Sequence, residues 1–122
     1  MKNLLILVIL IFSTNVLAEW VLITRTDYGD TFWYDGKNIQ KRDDKVWMWL
    51  RTRYPEPTKN GYNSDKSYFK IHCGEHSFQL LSSTYYEDLN WTKEVISDKN
   101  KTEKILIPPN SIIAMLAKIA CR

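Results

Sequence analysis

Apolar and polar positions alternate along most of this chain, and the period changes near the C-terminus. From Val46 to Arg53 the order V-W-M-W-L-R-T-R sets Val46, Met48 and Leu50 on one side of an extended strand and Trp47, Trp49, Arg51 and Arg53 on the other. Shorter runs of β-branched and aromatic residues flank it. Trp20 to Thr26 and Thr31 to Tyr34 read as strands either side of an Asp27-Tyr28-Gly29-Asp30 turn. Asp35-Gly36 is a hairpin signal, so Lys37 to Arg42 is expected to pair back on the strand before it, with Asp43-Asp44 as the next turn. Pro55 to Asn63 is loop. Ser67 to Cys73 and His76 to Tyr85 form a pair through Gly74-Glu75. Tyr86 to Asn90 connects to a strand from Trp91 to Ser97, Asp98 to Glu103 is a charged turn, and Lys104 to Ile107 closes the sheet.

The period then becomes helical. After Pro108-Pro109, Asn110 or Ser111 can cap a helix by accepting from a free backbone N–H. Ile112, Met115, Leu116 and Ile119 fall in one arc at 3.6 residues per turn and are expected to face the sheet. Many short strands followed by one helix predict an α+β fold: an antiparallel sheet of about six strands with one C-terminal α-helix packed on it.

Composition adds compartment and a staple. Lys2, an unbroken apolar run from Leu4 to Phe12 and the small-residue step Val16-Leu17-Ala18 read as a signal peptide over residues 1–18, too short to span a bilayer. Residues 19–122 are then one domain. No cysteine follows the apolar run, so an N-terminal lipid anchor is not expected. With the leader's lysine removed the formal charge falls from +3 to +2, which gives no argument for nucleic acid as a partner. Export and two cysteines predict a disulfide, Cys73–Cys121, closing a loop worth roughly 4 kcal/mol in the chain-entropy account. On an ideal wheel Cys121 lies off the apolar arc, so this bond is expected to need an unwound last turn. It also fixes a face: Phe69 and Ile71 lie with Cys73 on the helix side, and Tyr68, Lys70 and His72 on the other.

A single helix covers one face of a sheet. Either the sheet curls and buries both sets of the two-faced strand, or a partner, a second subunit or a ligand covers Trp47, Trp49, Arg51 and Arg53. Tryptophan with arginine is the composition of protein-binding hot spots, which makes these four the candidate protein-binding or dimer surface. Chemistry is weakly signalled. His72-Cys73-Gly74-Glu75-His76 suggests metal, but the histidines flank a strand turn and the disulfide claims the cysteine. There is no G-x-S-x-G, phosphate-cradling glycine loop or H-E-x-x-H. No enzyme activity, metal or cofactor is expected.

Several residues in order match a known pattern. These are Trp20 with its apolar strand, Tyr34-Asp35 followed by Asn38-Ile39, Trp47 after a charged turn, Ser64 then Cys73, and Pro109-x-Ser111-Ile112 with Cys121 ten residues after the serine. In these the chain resembles the surface-adhesin protein E family of small exported Gram-negative proteins, over nearly all of residues 19–122. The resemblance implies a sheet with a disulfide-bonded C-terminal helix, often a dimer. It departs at His72, where an acid is usual, at Asn38 in place of serine, and at Asp88-Leu89-Asn90 in place of a glycine turn. The expected function is an exported, adhesin-like domain that binds protein, with host extracellular-matrix proteins at the bacterial surface as the leading partner class. A periplasmic inhibitor or envelope-assembly factor is the alternative.

Overall fold

The computed structural model describes residues 17–98 and 103–122. The expected signal peptide, apart from Leu17 and Ala18, and most of the charged turn after Asp98 lie outside the described residues. Eight antiparallel strands form one sheet: β1 (Trp20–Arg25), β2 (Thr31–Asp35), β3 (Gln40–Arg42), β4 (Lys45–Arg53), β5 (Ser64–His72), β6 (Ser77–Tyr86), β7 (Glu94–Asp98) and β8 (Ile105–Leu106). Six run side by side in the order β1-β2-β4-β5-β6-β7. The two short strands extend edges: β3 lies on β4 and β8 on β6. One helix among the described residues, α1 (Ile112–Ala120), follows.

Strand β4 is the axis. Its half from Leu50 to Arg53 pairs with β2, and its half from Lys45 to Trp47 pairs with β3. The Asp35-Gly36 hairpin is therefore not formed; β2 and β3 lie end to end along one edge of β4. The reason is local. Although burial opposes it, the side-chain amide of Asn38 and the backbone N–H groups of Lys37 and Glu19 hold the Asp35 carboxyl below the ordinary range. Those bonds, with Gly36 N–H donating to Glu19 O, turn the chain aside rather than back on itself.

The helix lies on the Val46–Met48 side of β4. Val46, Met48 and Ile71 from the sheet, Ile107, and Leu116, Ala117 and Ala120 from α1 make the buried core. The stripe is rotated from the one expected: Ala117 and Ala120 meet the sheet and Met115 faces solvent. Small side chains let the helix approach closely, and apolar area is buried by the sheet residues opposite. This rotation also brings Cys121 next to the buried stripe. The last turn stays intact, with Cys121 N–H donating to Ala117 O at 2.8 Å, and the disulfide to Cys73 forms with a Cα–Cα distance of 5.7 Å.

Ser111 caps α1, its Oγ accepting from Ala114 N at 3.1 Å and donating to Pro108 O at 2.7 Å. Ser111→Ala is expected to lower stability by about 1 kcal/mol, read by urea unfolding. No change would mean that the cap adds nothing beyond the prolines.

Candidate functional site

The alternation along β4 holds. Val46, Met48, Leu50 and Thr52 are buried on the helix side, while Trp47, Trp49, Arg51 and Arg53 are half-buried on the other. Among the described residues no secondary element lies over Trp47 and Trp49, which stay half-buried. Register across the sheet sets Lys70 opposite Trp47, Tyr68 opposite Trp49, Lys66 opposite Arg51 and Trp33 on the other flank of Arg51. Trp20, opposite Asp35, shares this face. Strand geometry alone therefore gathers four of the five tryptophans.

The fifth arrives from a loop. Trp91, expected in a strand, lies before β7 with φ 55° and is buried over the end of β4. Its indole Nε1 donates to Thr52 O at 3.2 Å and Asp65 O at 3.0 Å. Asp88 builds the loop: its carboxylate accepts from the Thr92 hydroxyl and from the N–H groups of Asn90, Thr92 and Lys93. Those bonds hold it well below the usual carboxylate range. Ser64 Oγ donates to Asp88 O and Arg53 Nε to Leu89 O at 3.0 Å, tying the loop to the sheet.

The Arg51 guanidinium sits among three indoles, 3.9 Å from the Trp91 ring centroid, 4.4 Å from Trp20 and 5.3 Å from Trp33. Arg53 lies 4.9 Å from Trp91 and 5.3 Å from Trp33, and Lys70 5.2 Å from Trp47. Burial, and then Arg53, push Arg51 down to about 10 against the opposing charge of Asp35, and burial with Arg51 lowers Lys66. Ring faces attract these cations but carry no net charge. Among the described residues no carboxylate pairs with Arg51, Arg53, Lys66 or Lys70, and Arg51 Nε is buried without a hydrogen-bond partner. Trp49 and Tyr68, between the Arg51 cluster and Trp47, pack at 4.6 Å between centroids as an aromatic step.

The histidines do not join a site. His72 is buried, its Nε2 2.8 Å from Gln79 Oε1, and His76 lies in the turn at φ 52°. Among the described residues no three His, Cys, Asp or Glu groups gather as metal ligands.

Reading the sequence singled out Trp47, Trp49, Arg51 and Arg53, which share one face. It missed Trp20, Trp33, Lys66 and Lys70, which register assigns, and Trp91, for which D-x-N-W-T was the available signal: an Asp placed to capture the amides that follow it.

Fold and face together define a small disulfide-stapled sheet domain, with a helix on one side and an aromatic, basic surface on the other. The chain belongs to the surface-adhesin protein E family, whose model matches residues 20–122. Its fold is similar to that of protein E from non-typeable Haemophilus influenzae, with a TM-score of 0.55 and 15% identity, covering 88% of this chain and 78% of that one. Among curated protein sequences none matches. No helix among the described residues is long and apolar enough to cross a membrane.

Proposed function

We propose that this chain is an exported, adhesin-like, non-enzymatic protein that binds a protein partner through the face of Trp47, Trp49, Arg51 and Arg53, and that host extracellular-matrix proteins at the bacterial surface are the partner class. The observation that carries this reading is four cations set among tryptophans, with no acid among the described residues in an ion pair with any of them. Half-buried cations set against ring faces, with no acid in an ion pair with them among the described residues, gain from an incoming carboxylate, so the contact segment of the partner is acidic. The same argument disfavours a symmetric dimer through this face, which would set four cations against four.

Two variants test the face with purified matrix proteins immobilised as ligands. Trp47→Ala/Trp49→Ala removes the uncovered rings, and Arg53→Gln/Lys70→Gln removes charge at the margin without emptying the indole cluster. Each is expected to weaken binding at least tenfold, the charge variant with a shallower salt dependence. Undiminished binding by both variants would remove the face from the mechanism. Location is tested by tagging the C-terminus and adding protease to intact cells. Cleavage places the protein outside. Protection until the outer membrane is opened would overturn adhesion and make the partner a periplasmic protein.

A further inference from the structure

The helix side of the sheet is covered only in part. Beyond α1, one row of opposed residues runs Thr52, Asp65, Tyr85, Ile96 across β4, β5, β6 and β7. The β4–β5 connection folds back beside this row, with Tyr54 N–H donating to Asn63 O and Thr58 N–H to Tyr62 O. Between them is an open cavity of about 330 Å³. Tyr54, Tyr62 and Tyr85 wall it, Asp65 lies at its floor, and Thr58 and Asn60 form the rim.

We propose that this tyrosine-walled cavity binds an alkylammonium group, with the Asp65 carboxylate as its counter-ion. This site lies on the opposite side of the sheet from the tryptophan face and does not depend on the reading given for that face.

Asp65 is 9% exposed. Its Oδ2 accepts from the Tyr54 hydroxyl at 2.7 Å, and the Thr52 hydroxyl bonds the same carboxylate. Hydroxyl groups orient the charge without neutralising it. Among the described residues no lysine or arginine forms an ion pair with it. Burial raises the Asp65 carboxyl above its ordinary range, and burial with the neighbouring Asp65 raises the Tyr54 phenol. A buried carboxylate without a cation is costly to keep, and a wall of tyrosines is a second source of negative potential. Both repel an anion and both attract a cation. Tyr62 and Tyr85 stack at 4.9 Å between centroids, which gives a flat apolar wall beside Ile96 for an alkyl stem, as long cationic side chains use when their charge must reach a partner. The cavity suits one side chain rather than a large ligand. The shared chemistry is a primary ammonium on a short alkyl stem, from a lysine of a partner polypeptide or from a small free amine.

The test is an amide NMR titration of the whole mature protein with Nα-acetyl-lysine amide, with Nα-acetyl-norleucine amide as the uncharged match and n-butylammonium as the free amine. The lysine probe is expected to saturate with a Kd on the order of 1 mM, moving the amides of Asn60, Tyr62, Asp65 and Tyr85, and norleucine is expected to do nothing comparable. Butylammonium binding as well as the lysine probe would assign the site to small amines. A clearly tighter lysine probe would assign it to a partner's side chain. Asp65→Asn can accept from Tyr54 and donate to Thr52, so its fold is retained, and it is expected to bind the lysine probe at least tenfold more weakly. Because it removes an uncompensated buried charge, its melting temperature should be equal or higher. Tyr62→Leu, which leaves the carboxylate alone, is expected to weaken binding severalfold. Absence of a saturable shift with the lysine probe, equal shifts with norleucine, or wild-type affinity in Asp65→Asn would each overturn the proposal.

Discussion

Trp91→Ala is expected to destabilise the protein by about 3–5 kcal/mol, the range for truncating a large buried aromatic. Three losses combine. The indole is 9% exposed, so its removal leaves a hole over the end of β4. The carbonyls of Thr52 and Asp65 lose the N–H donor they share. Arg51 loses the nearest of its three rings, at 3.9 Å, and Trp33 loses an edge-on contact at 5.7 Å. Among the described residues no carboxylate forms an ion pair with Arg51, and the Asp35 charge offsets its burial only in part, so the desolvated guanidinium becomes a larger liability in the variant than in the native protein. Urea unfolding should show the loss with an unchanged m-value, and the melting temperature should fall by more than about 10 °C. Trp91→Phe separates the contributions. It keeps a ring for Arg51 and gives up the N–H, and should cost about 1–2 kcal/mol. If Trp91→Ala costs under about 1 kcal/mol, the indole is not packed on the sheet and the cation cluster must be held together without it.

How much of this face could be read from the sequence depends on the range of the interaction that makes it. The two faces of β4 were legible because a strand alternates with period two whatever surrounds it. Lys66 and Lys70 carry no local mark; they reach Arg51 and Trp47 through the register of β4 with β5. Trp91-Thr92-Lys93-Glu94-Val95-Ile96-Ser97 has the composition of a strand, but the Asp88 carboxylate takes the first amides and turns Trp91 to φ 55° before β7 begins. Asp35-Gly36 misleads in the same way, since the Asp35 side chain captures nearby donors and stops the hairpin that the pair usually forms. The helix and its cap were legible, but its rotation was not. Ile112 and Met115 dominate a count of hydrophobicity, whereas Ala117 and Ala120 are the residues the close approach requires. The Asp65 cavity draws on β4, β5, β6, β7 and one loop, and no stretch of sequence contains it.

Cys121→Ser is expected to cost about 2–5 kcal/mol, and the loss should be confined in space. The bond joins the end of β5 to the C-cap of α1 and closes a separation of 48 residues. Releasing it enlarges the unfolded ensemble and frees the helix from the sheet side it covers. Leu116, Ala117 and Ala120 are then held by the core they share with Val46, Met48, Ile71 and Ile107, because among the described residues no backbone hydrogen bond joins the sheet to α1. Amide exchange in Ile112–Ala120 should therefore rise before exchange in β4 and β5, and reducing agent on the wild-type protein should reproduce the variant's transition. The tryptophan face lies on the opposite side of β4, and its Trp91 loop is anchored by Asp88, Ser64 and Arg53 rather than by the helix. Well below the variant's lowered melting temperature, Cys121→Ser should bind the partner as the native protein does, whereas Trp91→Ala should not. A variant that lost stability and binding together would show that helix docking sets the sheet's twist at Arg51. An unchanged transition would mean that the staple adds no stability to the docked helix.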